Sequence, residues 1–233
     1  MGSSNCSKVL PLLQGLERRE LDCWYICVDV SKPALEEGIK NLQKTLTHVK
    51  VSGIWGTFDD AKKYLQTVPY HRVIWAMGST LSIGGRLTSD IASSYRDVLR
   101  ENDLILAGQD CTTTADHSKM SAAYSTESFK IFIEAGIEWN DSLLGLSGSW
   151  RQRWDWQHQW KSDAAGECHV ILLTAKESIE WEGGFISKGS TYDYFPSFKY
   201  KPDYVKRVFA GIGMHARPRQ TGGGDNCKCL LYH

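Results

Sequence analysis

Apolar positions along the first half of the chain switch repeatedly between helical and strand periods. Val9, Leu10, Leu12, Leu13 and Leu16 recur at helical spacing over residues 9–16, and residues 23–30 form a short apolar run of strand length in which Asp29 stands near the end. Ser31 is a good helix cap residue, Pro33 suits a first turn, and Leu35, Ile39, Leu42 and Leu46 fall on one helical face. Residues 49–55 predict a second strand, Asp59 or Asp60 a cap for a helix through Leu65, and Pro69 its end. Residues 72–77 predict a third strand closed by Gly78, followed by a helix over about 90–101 and a strand over 104–108.

Strands that alternate with helices at these lengths predict an α/β, doubly wound parallel sheet, because parallel strands need crossover connections that cover both faces. The regularity ends near Asp110. Residues 118–144 read as one long helix, 169–173 and 192–200 as strands, 203–210 as a helix and 227–232 as a last strand, with Gly222-Gly223-Gly224 in a turn or loop.

Composition narrows the function. With 27 Lys+Arg against 27 Asp+Glu the formal net charge is zero, which argues against a protein that coats nucleic acid or an anionic membrane. Nine Trp, ten Tyr and seven Phe exclude a disordered chain and point to buried or pocket-lining aromatics. Seven cysteines, odd in number and without framework spacing, predict reduced thiols. Cys227 and Cys229 suit a strand better than a zinc pair, and no metal site is expected. Without a secretory signal or a membrane-length apolar run, a cytoplasmic protein with no membrane partner is expected. Cys6 stands where a myristoylation signal needs Ser or Thr.

The candidate chemistry lies at the strand ends. Gly2-Ser3-Ser4-Asn5 precedes the first helix, Asp29 ends the next strand, Gly56-Thr57-Phe58-Asp59 follows the second and Gly78-Ser79-Thr80 the third. In a doubly wound sheet these loops converge on one edge. A small-residue loop lets backbone N–H groups approach a ligand, and a carboxylate at the following strand end can accept ribose hydroxyls. This is the geometry of a nucleoside cofactor.

Residues 2–212 resemble the histidine-specific methyltransferase family, the S-adenosylmethionine-dependent enzymes of ergothioneine synthesis and the fungal enzymes that N-methylate dimethylallyltryptophan. The matching segments are Gly2-Ser3-Ser4-Asn5-Cys6-Ser7-Lys8, Cys27-Val28-Asp29-Val30-Ser31, Gly53-Ile54-Trp55-Gly56-Thr57-Phe58-Asp59-Asp60-Ala61, Met77-Gly78-Ser79-Thr80, Ala123-Tyr124 and Pro196-Ser197-Phe198-Lys199-Tyr200. The resemblance implies a Rossmann-like class I methyltransferase that uses S-adenosylmethionine. Its cofactor-binding core would span 1–111, a substrate-binding α+β insertion 112–200, and a helix and strand completing the core 201–233. By the same resemblance Gly2, Ser3, Lys8 and Asp29 would hold the methionine part and ribose, Gly56, Thr57 and Phe58 would adjoin the adenine, and Gly78 and Ser79 would lie beneath the sulfonium. Tyr124, the candidate catalytic residue, and Ser197 would contact the substrate head group.

Departures from the family pattern bear on the acceptor. Histidine-methylating members carry a Gly-Asn pair after the Gly78 position, where this chain has Ser82-Ile83, and a carboxylate two residues before Ser197, where this chain has Phe195. Ile83 and Phe195 replace polar anchors by apolar contact, so an aromatic or prenylated amine is expected in place of histidine. Trp150, Trp154, Trp156 and Trp160 are expected to pack over the sheet, and His158 and His169 to be strand residues. The second glycine of the family's loop is Ser4 here. The family's first strand would precede Gly2, so a groove is expected between residues 23–30 and 72–77, the strands that would flank it. The expected function is N-methylation of a tryptophan-derived amine in fungal alkaloid metabolism; the alternative is a truncated, non-catalytic homologue.

Overall fold

The computed structural model describes residues 2–78, 80, 86–110, 117–220 and 226–232. The alternating apolar pattern becomes α1 (Leu10–Glu17), β1 (Cys23–Asp29), α2 (Lys32–Gln43), β2 (Val49–Trp55), α3 (Phe58–Thr67), β3 (Val73–Ala76), α4 (Ser89–Arg96) and β4 (Leu104–Asp110). There follow α5 (His117–Tyr124), α6 (Glu127–Leu143), α7 (Trp150–Arg153), β5 (Trp154–Ser162), β6 (Gly166–Ala175), β7 (Ile179–Trp181), β8 (Gly184–Ile186) and β9 (Thr191–Tyr200). The chain ends with α8 (Pro202–Ala210), β10 (His215–Gln220) and β11 (Asn226–Tyr232). Two compact units result, one made of Met1–Cys111 with Tyr200–His233 and the other of Thr112–Lys199. Among the described residues no helix is long and apolar enough to cross a membrane.

In the first unit β1 pairs with β2 in parallel, from Cys23 opposite Val49 to Asp29 opposite Trp55. β3 pairs with β4 in parallel, and antiparallel β11 and β10 extend that sheet in the order β10-β11-β4-β3. α2 and α4 are the crossovers that parallel pairing demands. Leu35 and Leu42 of α2 and Leu13 of α1 bury themselves with Cys27, Val49 and Val51 of β1 and β2. Each such side chain contributes about 1.5–3 kcal/mol. Gly38 lets the loop before α1 reach this layer, since a Cβ there would lie 2.9 Å from the Asn5 carbonyl carbon and from Cys6 Sγ.

Two carboxylates tie strand starts together. Asp103, 1% exposed, accepts hydrogen bonds from the Arg72 backbone N–H and Nε, both at 2.9 Å, from Arg72 Nη2, and from the Arg100 N–H at 2.8 Å. Burial works against its charge but the Arg72 guanidinium and the N–H donors outweigh it, holding the carboxyl below its usual range. Glu17, at the end of α1, accepts the Thr47 hydroxyl at 2.5 Å and the N–H groups of Thr47, His48 and Val49, which hold its carboxyl down at about 2.

Among the described residues no ladder joins β1 to β3. Between them lies a cavity of about 800 Å³, lined by Tyr25 and Ile26 of β1, Val73 and Trp75 of β3, and Ala61 and Leu65 of α3. The expected groove is therefore present. The Tyr25 and Trp75 rings approach across it to 5.5 Å between centroids.

In the second unit β5, β6 and β9 form a sheet in that order, β5 and β6 antiparallel, with the hairpin β7-β8 beside it. Ile133 and Ile137 of α6 share a core with Trp150, Trp154, Ile171 and Leu173. Buried Asp141 accepts from Arg153 Nε at 2.9 Å, Arg153 Nη2 at 2.6 Å and Trp154 Nε1 at 2.9 Å.

Two expectations need correction. The single helix over 118–144 is two, because Thr126 is extended (φ −75, ψ 148) and its hydroxyl accepts the Phe129 N–H at 3.2 Å, starting α6 afresh. α3 is capped not by Asp59 or Asp60 but by Thr57, with Asp60 completing a capping box. Ser31 stands at the N-cap position of α2 as expected, without a side-chain cap bond; its N–H is donated to Asp29. The glycine run at 222–224 lies outside the described residues.

Candidate functional site

In the first unit the loop before α1 folds onto the end of β1. Ser3 donates its N–H to the Val28 carbonyl at 3.0 Å and its hydroxyl to the same oxygen at 3.2 Å. Half-buried Asp29 accepts the Ser4 N–H on Oδ2 at 2.6 Å and the Ser31 N–H on Oδ1 at 2.9 Å. A carboxylate offers about four lone-pair sites, so about two remain for a ligand. The Gly56 N–H reaches the Asp29 carbonyl at 3.1 Å, which brings the ends of β1 and β2 together. Gly2 has φ +61, and a Cβ on it would meet Thr80 Cγ2 at 2.8 Å and Phe58 Cζ at 3.7 Å. Gly78 has φ +73, and a Cβ there would lie 2.6 Å from Lys8 Nζ. Gly2, Ser3, Lys8, Asp29, Gly56, Phe58 and Gly78 thus gather where these strands end. Thr57 is adjacent, but its hydroxyl is engaged with Asp60 at 2.7 Å. Ser79 lies outside the described residues.

The loop is strained, with Ser4 at φ +46 and Cys6 at φ +62, a conformation that non-glycine residues hold only where surroundings impose it. Buried Cys6 Sγ lies 3.4 Å from Cys27 Sγ. That shared hydrogen bond pulls the Cys6 thiol below its ordinary range and pushes Cys27 up. Thr80 Oγ1 is buried without a hydrogen-bond partner beside Gly2. An orphaned hydroxyl, open lone pairs on Asp29, an aromatic ring and the Lys8 ammonium fit a nucleoside bearing an amino-acid tail.

In the second unit Tyr124, at the end of α5, meets Ser197 of β9 at 2.8 Å between hydroxyl oxygens. Lys199, two residues along the same strand, donates to Tyr124 Oη at 2.5 Å and Ser197 Oγ at 2.7 Å. His169 of β6 stacks on Tyr124 at 3.8 Å and 10°, and its Nε2 lies 3.0 Å from His158 Nδ1 on β5. Burial, with His158 and Lys199 adding to it, lowers the His169 imidazole to about 4, so it is neutral near pH 7. Phe195 stands edge-on to Phe129 and Phe132, with centroids at 5.9 and 5.4 Å.

The expectation that Trp and His positions serve packing needs division. Trp150 and Trp154 are core, and Trp156 packs against that core. Trp160 turns instead to Tyr124 and His169, and its Nε1 donates to Ser121 Oγ at 3.1 Å. His158 and His169 are strand residues, yet they belong to the Tyr124 cluster. Lys199, Trp160 and the histidine pair were not anticipated as site residues; the strand period, which puts residues 195, 197 and 199 on one face, is the signal that finds Lys199. Ile83 lies outside the described residues.

A family model described as histidine-specific methyltransferase, SAM-dependent, matches residues 1–232. The chain belongs to this family. Relatives include ergothioneine biosynthesis protein 1 of Neurospora crassa, 26% identical over 99% of this chain and 27% of that protein. The N-methyltransferase fsqC of Aspergillus fumigatus is 27% identical over 88% of this chain and 57% of its own length. 4-Dimethylallyltryptophan N-methyltransferase easF of the same fungus is 23% identical over the whole of this chain and 72% of its own length. The chain therefore spans about a quarter of the first of these relatives and just over half of the second. Among solved structures, the glycopeptide N-methyltransferase MtfA complexed with SAM has a TM-score of 0.46 at 11% identity, covering 99% of this chain and 84% of that one.

Proposed function

We propose that the chain transfers a methyl group from S-adenosylmethionine to the nitrogen of an aromatic amino-acid derivative, a tryptophan derivative such as dimethylallyltryptophan in fungal alkaloid metabolism, in the cytoplasm. The first unit holds the cofactor: Asp29 accepts the ribose hydroxyls, the Gly2-Ser3 backbone and Lys8 meet the methionine tail, and Phe58 and Gly56 adjoin the adenine, with Gly78 near the sulfonium. The second unit binds the acceptor through Tyr124, Ser197 and Phe195. The observation that carries the aromatic acceptor is Phe195 packed with Phe129 and Phe132 two residues from Ser197.

When bound, the cofactor supplies an electrophilic methyl on sulfur. The chain's own residues need only orient a neutral amine and exclude water, so positioning provides most of the acceleration. Phe195 with Phe129 and Phe132 offers apolar contact to the acceptor's aromatic ring. No base of high strength is needed; Tyr124 serves to orient the head group.

Mass-spectrometric assay of dimethylallyltryptophan, tryptophan and histidine with S-adenosylmethionine tests this. Transfer should be fastest to the prenylated substrate and slowest to histidine; faster turnover of histidine refutes the aromatic assignment. The groove between β1 and β3 favours a second reading, a non-catalytic homologue. Absence of both methyl transfer and S-adenosylhomocysteine binding in calorimetry would establish that reading.

A further inference from the structure

The hydroxyls of Tyr124 and Ser197 are ordered by a third group. Lys199, 3% exposed, lies behind two half-buried residues and touches both oxygens, at 2.5 and 2.7 Å, while the oxygens are 2.8 Å apart. An ammonium can only donate, so both oxygens must accept from it. Of the two hydroxyl protons, one occupies the bond between Tyr124 and Ser197. The other is left to be donated outside the triangle, whichever hydroxyl carries it. The lone pair that also remains sits on an oxygen already holding the Lys199 ammonium, a poor place for a second cation. Neutral His169 covers a face of the Tyr124 ring and brings no charge that would reverse this preference.

We propose that Lys199 is a positioning residue that fixes these proton directions and so makes the Tyr124–Ser197 pair a subsite for the acceptor's carboxylate, from which an ammonium is refused. This rests on the assignment of the acceptor to the second unit made above. Phe195 and Ser197 lie about 7 Å apart along β9, comparable with the reach from ring to carboxylate in an aromatic α-amino acid. The amine then enters away from the triangle, and a decarboxylated amine loses its anchor.

Calorimetric binding of tryptophan and of tryptamine to the full chain, saturated with S-adenosylhomocysteine, reads the subsite without turnover; methyl transfer is measured separately. Wild type should bind tryptophan at least tenfold more tightly than tryptamine. Lys199→Met should reduce that ratio about tenfold, with KM for the amino acid rising more than kcat falls, while Lys199→Arg retains part of the preference. In a Tyr124→Phe/Ser197→Ala background, Lys199→Met should change the ratio no further, because the oxygens through which it acts are gone. If Lys199→Met does not fold, Tyr124→Phe/Ser197→Ala alone must abolish the preference. Equal binding of the two ligands by wild type, an unchanged ratio in folded Lys199→Met, or a preference that survives in the double variant and is then removed by Lys199→Met overturns the proposal. Carboxylate-selective binding without methyl transfer leaves it standing and refutes only the activity.

Discussion

Asp29→Ala separates two jobs of one carboxylate. As a loop staple, Asp29 holds the Ser4 and Ser31 N–H groups at 2.6 and 2.9 Å. A hydrogen bond to a charged group is worth about 1.5–3 kcal/mol, but both donors lie at the surface and regain water when the carboxylate goes. The fold should therefore lose only about 1–2 kcal/mol, a fall in Tm of about 5 °C for a chain of this size. As a ribose acceptor, the same carboxylate would contribute about 1.5–3 kcal/mol to binding, so affinity for S-adenosylhomocysteine should drop about 10- to 100-fold. Asp29→Asn keeps one acceptor oxygen but turns an NH₂ toward one of the two backbone donors, and should bind no better than the alanine variant. Calorimetry beside thermal melting reads both effects. A lowered Tm with affinity within twofold of wild type would show that Asp29 only shapes the loop, and the cofactor assignment would fail.

Three further outcomes follow from charges and rings already placed. Asp103→Asn should cost about 3–5 kcal/mol in urea unfolding, because it leaves the Arg72 guanidinium buried without its countercharge; a loss below 1 kcal/mol would contradict this. The Asp103 carboxyl is lower in the folded state, so its contribution is present above about pH 4 and is lost as pH falls through the lower folded value; the variant's stability should vary less over that range. His169, lowered to about 4, resists a proton that the unfolded chain takes up near 6.5, so stability should decline from about pH 6.5 toward 4 and His169→Phe should flatten that slope in pH-dependent denaturation. Phe195→Glu should raise histidine turnover relative to tryptophan derivatives in competition assays, since it supplies an acceptor for an imidazole N–H; an unchanged ratio would remove Phe195 from the acceptor site.

The order of elements was legible because core-facing residues in the first unit repeat cleanly: Leu35 and Leu42 at helical spacing, residues 49–55 as an unbroken strand. Caps were less legible, since Thr57, Asp59 and Asp60 are all good cap residues and only the reciprocal Thr57–Asp60 bonding decides among them. The break at Thr126 was hidden because its neighbours continue a helical pattern, and a single Thr in the extended region ends it. At the strand ends, Asp29 and the glycines were visible from spacing alone. The Tyr124 cluster was not, because α5, β5, β6 and β9 come together only through tertiary pairing, and a His on a strand looks the same in sequence whether it faces water or a tyrosine ring.

The last prediction concerns the groove between β1 and β3. In a parallel pair, alternate residues of a strand turn their N–H and C=O groups to one neighbour and the rest turn to the other side. β1 is laddered to β2 and β3 to β4, and no ladder joins β1 to β3 among the described residues. Amides of β1 and β3 that face the groove should then exchange with deuterium through local opening, well before those that face β2 and β4. The separation that accepts one strand is two strand spacings, about 9.5 Å, too wide for direct hydrogen bonds. The Ser3 N–H bond to Val28 already has the form of a first rung beside β1. A short apolar extension fused ahead of Gly2 should therefore continue that rung down the groove, parallel to both edges. Four buried side chains at about 1.5–3 kcal/mol each would add about 6–12 kcal/mol before the entropy of ordering the extension is subtracted. Hydrogen exchange measured with and without the extension should show the groove-facing amides slowing to the rate of their neighbours. Equal protection of both sets in the chain without it would mean that β1 and β3 pair in solution. In that case the extension should leave Tm unchanged.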